Sequence, residues 1–309
     1  MRGMQAVRTA DEIRDVNTRY HDVAASTYDA KWGIDFGGVG QAQVLRKVRK
    51  VLGGELNQGF GRALEIGAGT GYFSLNLMQA GVLREVTCTD ISPGMVSRLG
   101  ENARRLGLPG VRAARADAEA LPFPDASFDL VLGHAVLHHL PDLERAFAEF
   151  RRVLRPGGRI VFAGEPSRVG DRIASLPKRA AGLVAPLWRA ALRASPAPPP
   201  APGDHFHAED HELEHVVDIH AFVPGDLAGL ARRAGFGDVK VRGEELLANW
   251  FGWFNRSLEA TADPDEVPMA WKQYAFHGYL WLQQVDERAL ESRLPAAIFY
   301  NLLLTAQRP

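Results

Sequence analysis

Residues 64–74 read LEIGAGTGYFS, an apolar run that breaks into Gly67, Gly69 and Gly71 before helix-forming residues resume. Glycines at this G-x-G-x-G pitch suit a tight strand-to-helix turn whose backbone a ligand can approach closely. A dinucleotide turn has the spacing G-x-G-x-x-G, which calls for glycine at position 72, where this chain has Tyr72. Glu65, two residues before the loop, has no place in that fingerprint either. A glycine turn alone identifies no ligand.

Working outward, short apolar runs alternate with helical patterns from about residue 62 to 165. RALEI, EVTCT, FDLVLG and GRIVFAG are predicted strands, with VRAARA a weaker candidate before Asp117. SLNLMQAG, PGMVSRLGENARRLG and LERAFAEFRRVLR are the predicted helices between them. Such alternation implies a parallel, doubly wound α/β sheet. The second strand ends at Asp90, placed to accept hydrogen bonds from ribose hydroxyls. NAD and S-adenosylmethionine both carry such a ribose, so Asp90 does not choose between them.

The 309 residues suffice for one large α/β domain or a smaller one with a substantial addition. A net charge of −1 provides no global attraction to nucleic acid or to an anionic membrane. The single cysteine, Cys88, excludes an internal disulfide and suits a reducing cytoplasm. MRGMQAVRTADEIRDVN has no signal-peptide core, and no stretch approaches the ~20 apolar residues of a membrane span. A cytoplasmic location is expected.

Beyond the core, residues 168–193 carry six Lys/Arg against one acid, Asp171, and are predicted as an amphipathic helix broken at Pro177 and Pro186. The stretch allows weak contact with a membrane surface or an acidic substrate, although a lid helix with a solvated face is the expected role. ASPAPPPAPGD then reads as a stiff connector. PGDLAGLARRAG is a predicted helix, and DVKVRG and AIFYNLLLTA are predicted strands. Between those strands, about 245–293 form an aromatic-rich helical insertion holding Trp250, Trp253, Trp271 and Trp281.

In motif order over roughly residues 20–165, the chain resembles the class I S-adenosylmethionine-dependent methyltransferases. LEIGAGTG resembles the family's first motif, TDISPGM the second and ADAEALPFPDASFD the third. GHAVLHHLPD follows the fourth strand and RRVLRPGGRIVFAGE leads through the fifth. YHDVAASTYD resembles the N-terminal helix that closes over the cofactor. The resemblance implies S-adenosyl-L-methionine as cofactor, held by Tyr28, Glu65, Gly67, Ala68, Gly69, Gly71 and His134. It also puts Asp90 on the ribose, Ile91 and Met95 against adenine, and Asp117 with Ala118 at the adenine amino group. The implied fold is Rossmann-like, α/β, with a seven-stranded sheet whose last strand is antiparallel, plus helical cap insertions.

The implied reaction transfers an activated methyl, which requires alignment, exclusion of water and a base if the acceptor arrives protonated. His138 or His139 suits that base, since histidine titrates near neutrality. Glu165 is expected to orient that histidine or to act as a second base. No thiolate nucleophile and no Asp/Asn-Pro-Pro-aromatic motif stand where nucleic-acid base methylation needs them. A small-molecule or lipid acceptor and no nucleic acid are therefore expected, with O-methylation ahead of nitrogen or carbon.

HELEH at 211–215 matches the H-E-x-x-H zinc pattern. The glycine that an extended zinc motif needs is missing, since Val216, Val217 and Asp218 follow His215. With five acids among residues 209–218, a solvated lid is expected rather than a metal, and Asp218 or His220 is placed to touch substrate.

The expected organisation is therefore N-terminal helices closing over the cofactor (1–55) and a cofactor-binding core (56–165). A lid insertion with the Pro-rich connector (166–222) and the C-terminal part of the sheet (223–309) complete it. The alternatives are a protein that binds S-adenosylmethionine without catalysis and an NAD-linked reductase. The oligomeric state is left open.

Overall fold

A computed structural model describes residues 9–25, 28–29, 33–198 and 220–309. Its centre is β1 (Phe60–Ile66), whose last four residues are buried; an apolar run without alternation suits a strand covered on both faces. β1 pairs in parallel with β2 (Leu83–Asp90) on one side and β4 (Phe128–His134) on the other. β3 (Val111–Arg115) forms one edge beyond β2. β5 (Leu154–Pro166) lies beyond β4, and β7 (Asn301–Gln307) runs antiparallel between β5 and the other edge strand, β6 (Gly237–Glu244). The order is β3-β2-β1-β4-β5-β7-β6, so the sheet reverses its winding between β1 and β4. The crevice at such a reversal, outside the carboxyl ends of the strands, is where open α/β sheets bind ligands.

Helices α1 (Ala10–Ala24), α2 (Gly38–Leu52), α3 (Tyr72–Gln79), α4 (Pro93–Arg105) and α5 (Leu143–Val153) accompany the first five strands. On one face, α2 and α3 bury Val44, Val48, Phe73 and Leu77 against Ala63, Val86 and Leu132. On the other, Phe147 and Phe150 of α5 meet Leu64, Ile66 and Phe162. α6 (Arg168–Leu192) follows β5, and α7 (Pro224–Arg233) joins the α5 face through Leu227 and Leu230. α8 (Leu247–Glu259) and α9 (Met269–Val285) fill the aromatic insertion. Ala181, Ala185 and Trp188 of α6 pack with Leu258, Val267 and Trp271, giving the cap a small core of its own.

The seven-stranded sheet with its antiparallel last strand is as expected, but three boundaries moved. The helix predicted to run to Arg155 stops at Val153, and β5 begins at Leu154; Pro156 disfavours helical backbone at the residue before it. The strand expected from Ala297 begins at Asn301, after a short turn at Ala296–Ile298. The helix expected to break at Pro177 and Pro186 instead runs unbroken for 25 residues. Its buried face on the cap core holds it across the two lost backbone hydrogen bonds. HELEH, Asp218 and the end of the proline connector lie outside the described residues.

Candidate functional site

The glycine turn has the strained geometry its sequence asked for. Gly67, Gly69 and Gly71 take φ of 58°, 53° and 97°, a region that side chains resist. At Gly67 there is also no room, because an added Cβ would lie 2.2 Å from Cγ2 of Val136. The loop is therefore pressed against the segment after β4. Asp90 fastens it from β2: Oδ2 accepts from the Gly69 amide at 2.9 Å and Oδ1 from the Ser92 amide at 2.9 Å.

Directly beneath the loop lies Glu65, buried, with Oε2 lacking any hydrogen-bond partner. Burial pushes its carboxyl up from 4.5 to about 8, against the hydrogen bonds of Ser74. An acid held partly neutral under a backbone cradle fits a cationic ligand, whose charge would repay ionisation. Thr70 Oγ1 is a second buried atom there without a partner. These residues fit a sulfonium cofactor.

Past β4 the chain turns sharply at Ala135, φ 53°, into the one-turn helix Leu137–His139. The fully buried Glu165, from β5, organises this turn. Its Oε1 accepts from the amides of Val136 and Leu137 at 3.0 Å each, and its Oε2 from the His138 amide at 3.2 Å. Oε2 also lies 2.9 Å from His138 Nδ1. The carboxylate thus accepts from three amides and lies against one imidazole. The His138 and His139 rings lie 3.9 Å apart, and His139 meets His21 of α1 edge-on at 5.7 Å. His134 sits against Tyr72 and Phe73; burial, aided by Lys47, lowers it from 6.5 to about 3 and keeps it neutral.

The glycine loop, Glu65 and the three histidines share one cavity of about 700 Å³. The glycine loop at Gly67, Ala68 and Gly69, with Glu65, Tyr28, His134, His138 and His139, lines one end. Glu165, Asp90, Ile91, Met95, Asp117, Ala118 and Gly71 do not line it. Glu165 is buried behind the turn it holds, Gly71 is packed by Leu75 and Leu99, and α1 lies over the edge at Ser92, Met95 and Asp117. Arg14 of α1 pairs with Asp117 at 3.1 Å and with Glu119. Asp22 accepts from Ser92 Oγ and from the Gly94 amide, and Met95 is sealed beneath Ala24 and Ala25. His220 does not line the cavity either: its amide donates to the His138 carbonyl at 3.2 Å and its Nε2 is 3.0 Å from the Leu140 carbonyl.

The opposite end was not anticipated from sequence. Glu245, at the β6–α8 junction with φ 65°, takes Lys47 at 3.1 Å, Gln283 at 2.9 Å, Tyr279 at 2.9 Å and Asn301 at 3.0 Å. Burial opposes its ionisation, but Lys47, Tyr279 and Lys50 together outweigh burial and hold it below the usual carboxylate range. Burial likewise pulls on the Lys47 ammonium, yet Glu244 and Glu245 hold it well above its usual value. Strained backbone retained at a cavity marks a site the fold over-determines. Above this polar floor stand Trp253, Phe276 and Tyr300. The tryptophans of the aromatic insertion, Trp253 among them, were the signal the sequence offered for this end.

The sequence pattern of the family described as "Methyltransferase domain" matches residues 64–162. The chain is 38% identical over 148 residues to a malonyl-[acyl-carrier protein] O-methyltransferase of Methylococcus capsulatus, covering 45% of this chain and 53% of that protein. It is 37% identical over 172 residues to the ubiquinone/menaquinone biosynthesis C-methyltransferase UbiE of Paraburkholderia xenovorans, covering 55% and 67%. The chain spans about half the length of several curated relatives it matches. In fold it is similar to phosphoethanolamine N-methyltransferase 2 of Haemonchus contortus with bound S-adenosyl-L-methionine, at TM-score 0.58 and 17% identity over 99% of this chain and 61% of that one. The [4+2]-cyclase SpnF shares the fold at TM-score 0.55 and 19% identity, over 96% and 97%. The chain therefore belongs to the class I S-adenosylmethionine-dependent methyltransferases.

Proposed function

We propose that this protein methylates an oxygen of a small-molecule or lipid acceptor, with His138 or His139 taking the acceptor's proton. The observation that carries this reading is the 2.9 Å contact between His138 Nδ1 and the buried Glu165. A carboxylate at Nδ1 selects the tautomer in which Nε2 is the basic nitrogen and fixes the ring's orientation. The adjoining His139 ring, which lines the same cavity as the glycine loop, gives this turn a second proton acceptor.

The cofactor supplies a methyl already activated by its sulfonium. The chain's own residues align and shield. Gly67 and Gly69 let backbone approach, Glu65 provides counter-charge, and Tyr28 covers the loop, its ring 3.9 Å from where a Gly69 Cβ would stand. Trp253, Phe276 and Tyr300 exclude water from the acceptor end, and Glu245 with Lys47, Asn301 and Gln283 holds a polar group there. Mixed apolar walls with a few convergent polar groups suit an amphiphilic acceptor. The name of the Methylococcus relative, an O-methyltransferase, supports oxygen.

A second reading, methylation of a ring carbon, is favoured by the aromatic walls and by the UbiE likeness. One experiment separates the two. S-adenosylmethionine with a radioactive methyl is incubated with the protein and an extract of its source cells, which is then divided into lipid, small polar and macromolecular fractions. Label in the first two fractions is expected, with His138→Ala or His139→Ala lowering turnover while cofactor affinity holds. Label released as methanol by alkali (an ester) or as methyl iodide by hot hydriodic acid (an ether) marks oxygen, and label that resists both marks carbon. Label confined to macromolecules, or full turnover in both variants, overturns the proposal.

A further inference from the structure

The exposed side of helix α6, expected as a solvated face, carries a stripe of large apolar side chains. Leu176, Leu183 and Leu187 are 58%, 84% and 75% exposed. With the exposed Val169 they recur at seven-, seven- and four-residue intervals, which puts them on one face of the helix. Val184, Ala180 and Ala191 are exposed beside them. The opposite face holds Ala174, Ala181, Ala185 and Trp188 against the cap core. The helix is therefore apolar on two sides, one covered and one facing outward.

Exposed arginines border the outward stripe. Arg168, Arg172 and Arg179 lie on its flank at helical spacing, and Arg193 closes the C-terminal end. Among the described residues none of the four forms an ion pair with an acid. Asp171 is the sole acid of the helix. The chain as a whole carries a net charge of −1, so this positive charge is local to one flank of one helix.

We infer that the outward face of α6 seats on an anionic lipid surface, with its leucines in the headgroup–acyl boundary and its arginines on lipid phosphates. An amphipathic helix with an apolar face and a basic border lies in the plane of such an interface. Each basic residue near an anionic leaflet adds attraction that salt screens. No helix among the described residues is long and apolar enough to cross a membrane, so the contact is one of lying on the surface. The inference stands on α6 alone and not on methyl transfer, and its readouts are separate.

The test is flotation of the full chain with vesicles of phosphatidylcholine alone or with equal parts phosphatidylglycerol, at low and high salt. Binding to the anionic vesicles is expected, weakening as salt rises. Leu183→Asp with Leu187→Asp should lower it at least tenfold, from the ~1.5–3 kcal/mol of a buried leucine. Arg172→Gln and Arg179→Gln should each lower it about fivefold on anionic vesicles only. Cofactor affinity in all variants should stay that of the parent, which shows that the fold survives. Failure of the parent chain to bind anionic vesicles overturns the inference. So does a dimer in sedimentation that Leu183→Asp dissolves, since the stripe would then face a second copy.

Discussion

The carboxylate of Glu165 and the imidazole of His138 meet at 2.9 Å inside the protein, while the same carboxylate accepts from three consecutive backbone amides. One buried acid thereby ties the backbone of the turn after β4 to the ring of its histidine. Glu165→Gln replaces an oxygen acceptor with an NH2 facing donors. We expect a loss of about 1.5–3 kcal/mol in urea unfolding, as for buried hydrogen bonds to a charged group, and turnover falling more than cofactor affinity. A variant as stable and as active as the parent would remove Glu165 from its orienting role.

Gly67 combines φ 58° with a contact of 2.2 Å between its would-be Cβ and Val136. Gly67→Ala should weaken S-adenosylmethionine binding strongly, measured by calorimetry. Adding Val136→Ala should recover only part of the loss, because room returns but the left-handed backbone still costs about 1–2 kcal/mol. Full recovery would show that space alone matters.

Glu65 predicts a pH dependence. Its folded pKa lies near 8 and the unfolded value near 4.5, so between these the folded state binds more protons than the unfolded. Stability is then highest below the unfolded value and declines as pH rises to about 8. Between pH 4.5 and 6.5 this is opposed by His134, whose folded pKa is lowered to about 3, so the clean window is pH 6.5–8. There the cofactor-free protein should lose up to about 2 kcal/mol that Glu65→Gln does not lose. Cofactor binding should release protons in that window, seen as a buffer-dependent binding enthalpy. A parent slope identical to that of Glu65→Gln would contradict the neutral acid.

Lys47 connects α2 to the acids 244 and 245 at the far end of the cavity. Lys47→Met leaves buried carboxylate uncompensated and should cost about 3–5 kcal/mol. Glu245→Gln added to it should return part of that, a coupling that a double-mutant cycle measures in unfolding. Additive losses would mean that the two do not interact energetically.

Asp90 holds the Gly69 and Ser92 amides at the edge α1 covers, and the family resemblance puts the ribose there. Asp90→Ala should weaken S-adenosylmethionine binding by about 1–3 kcal/mol. Unchanged affinity in a binding titration would confine Asp90 to supporting the loop.

The elements legible in the sequence are those with a local signature. β1, β2, β4 and β5 announce themselves as apolar runs, the glycine turn by residues that accept positive φ, and the histidine pair by its place after a strand. Boundaries slipped where a local rule was outweighed, as when the cap core carried α6 across Pro177 and Pro186. The other points were decided by tertiary structure. Glu165 becomes the clamp of a turn 27–29 residues earlier, Arg14 covers Asp117, and Lys47 finds Glu244 and Glu245 some 197 residues away. Residues so far apart share no periodicity, and a charge alone does not name its partner. Whether it is solvated, paired or catalytic depends on which surfaces the packed sheet and cap bring against it, and that packing arises from the whole chain at once.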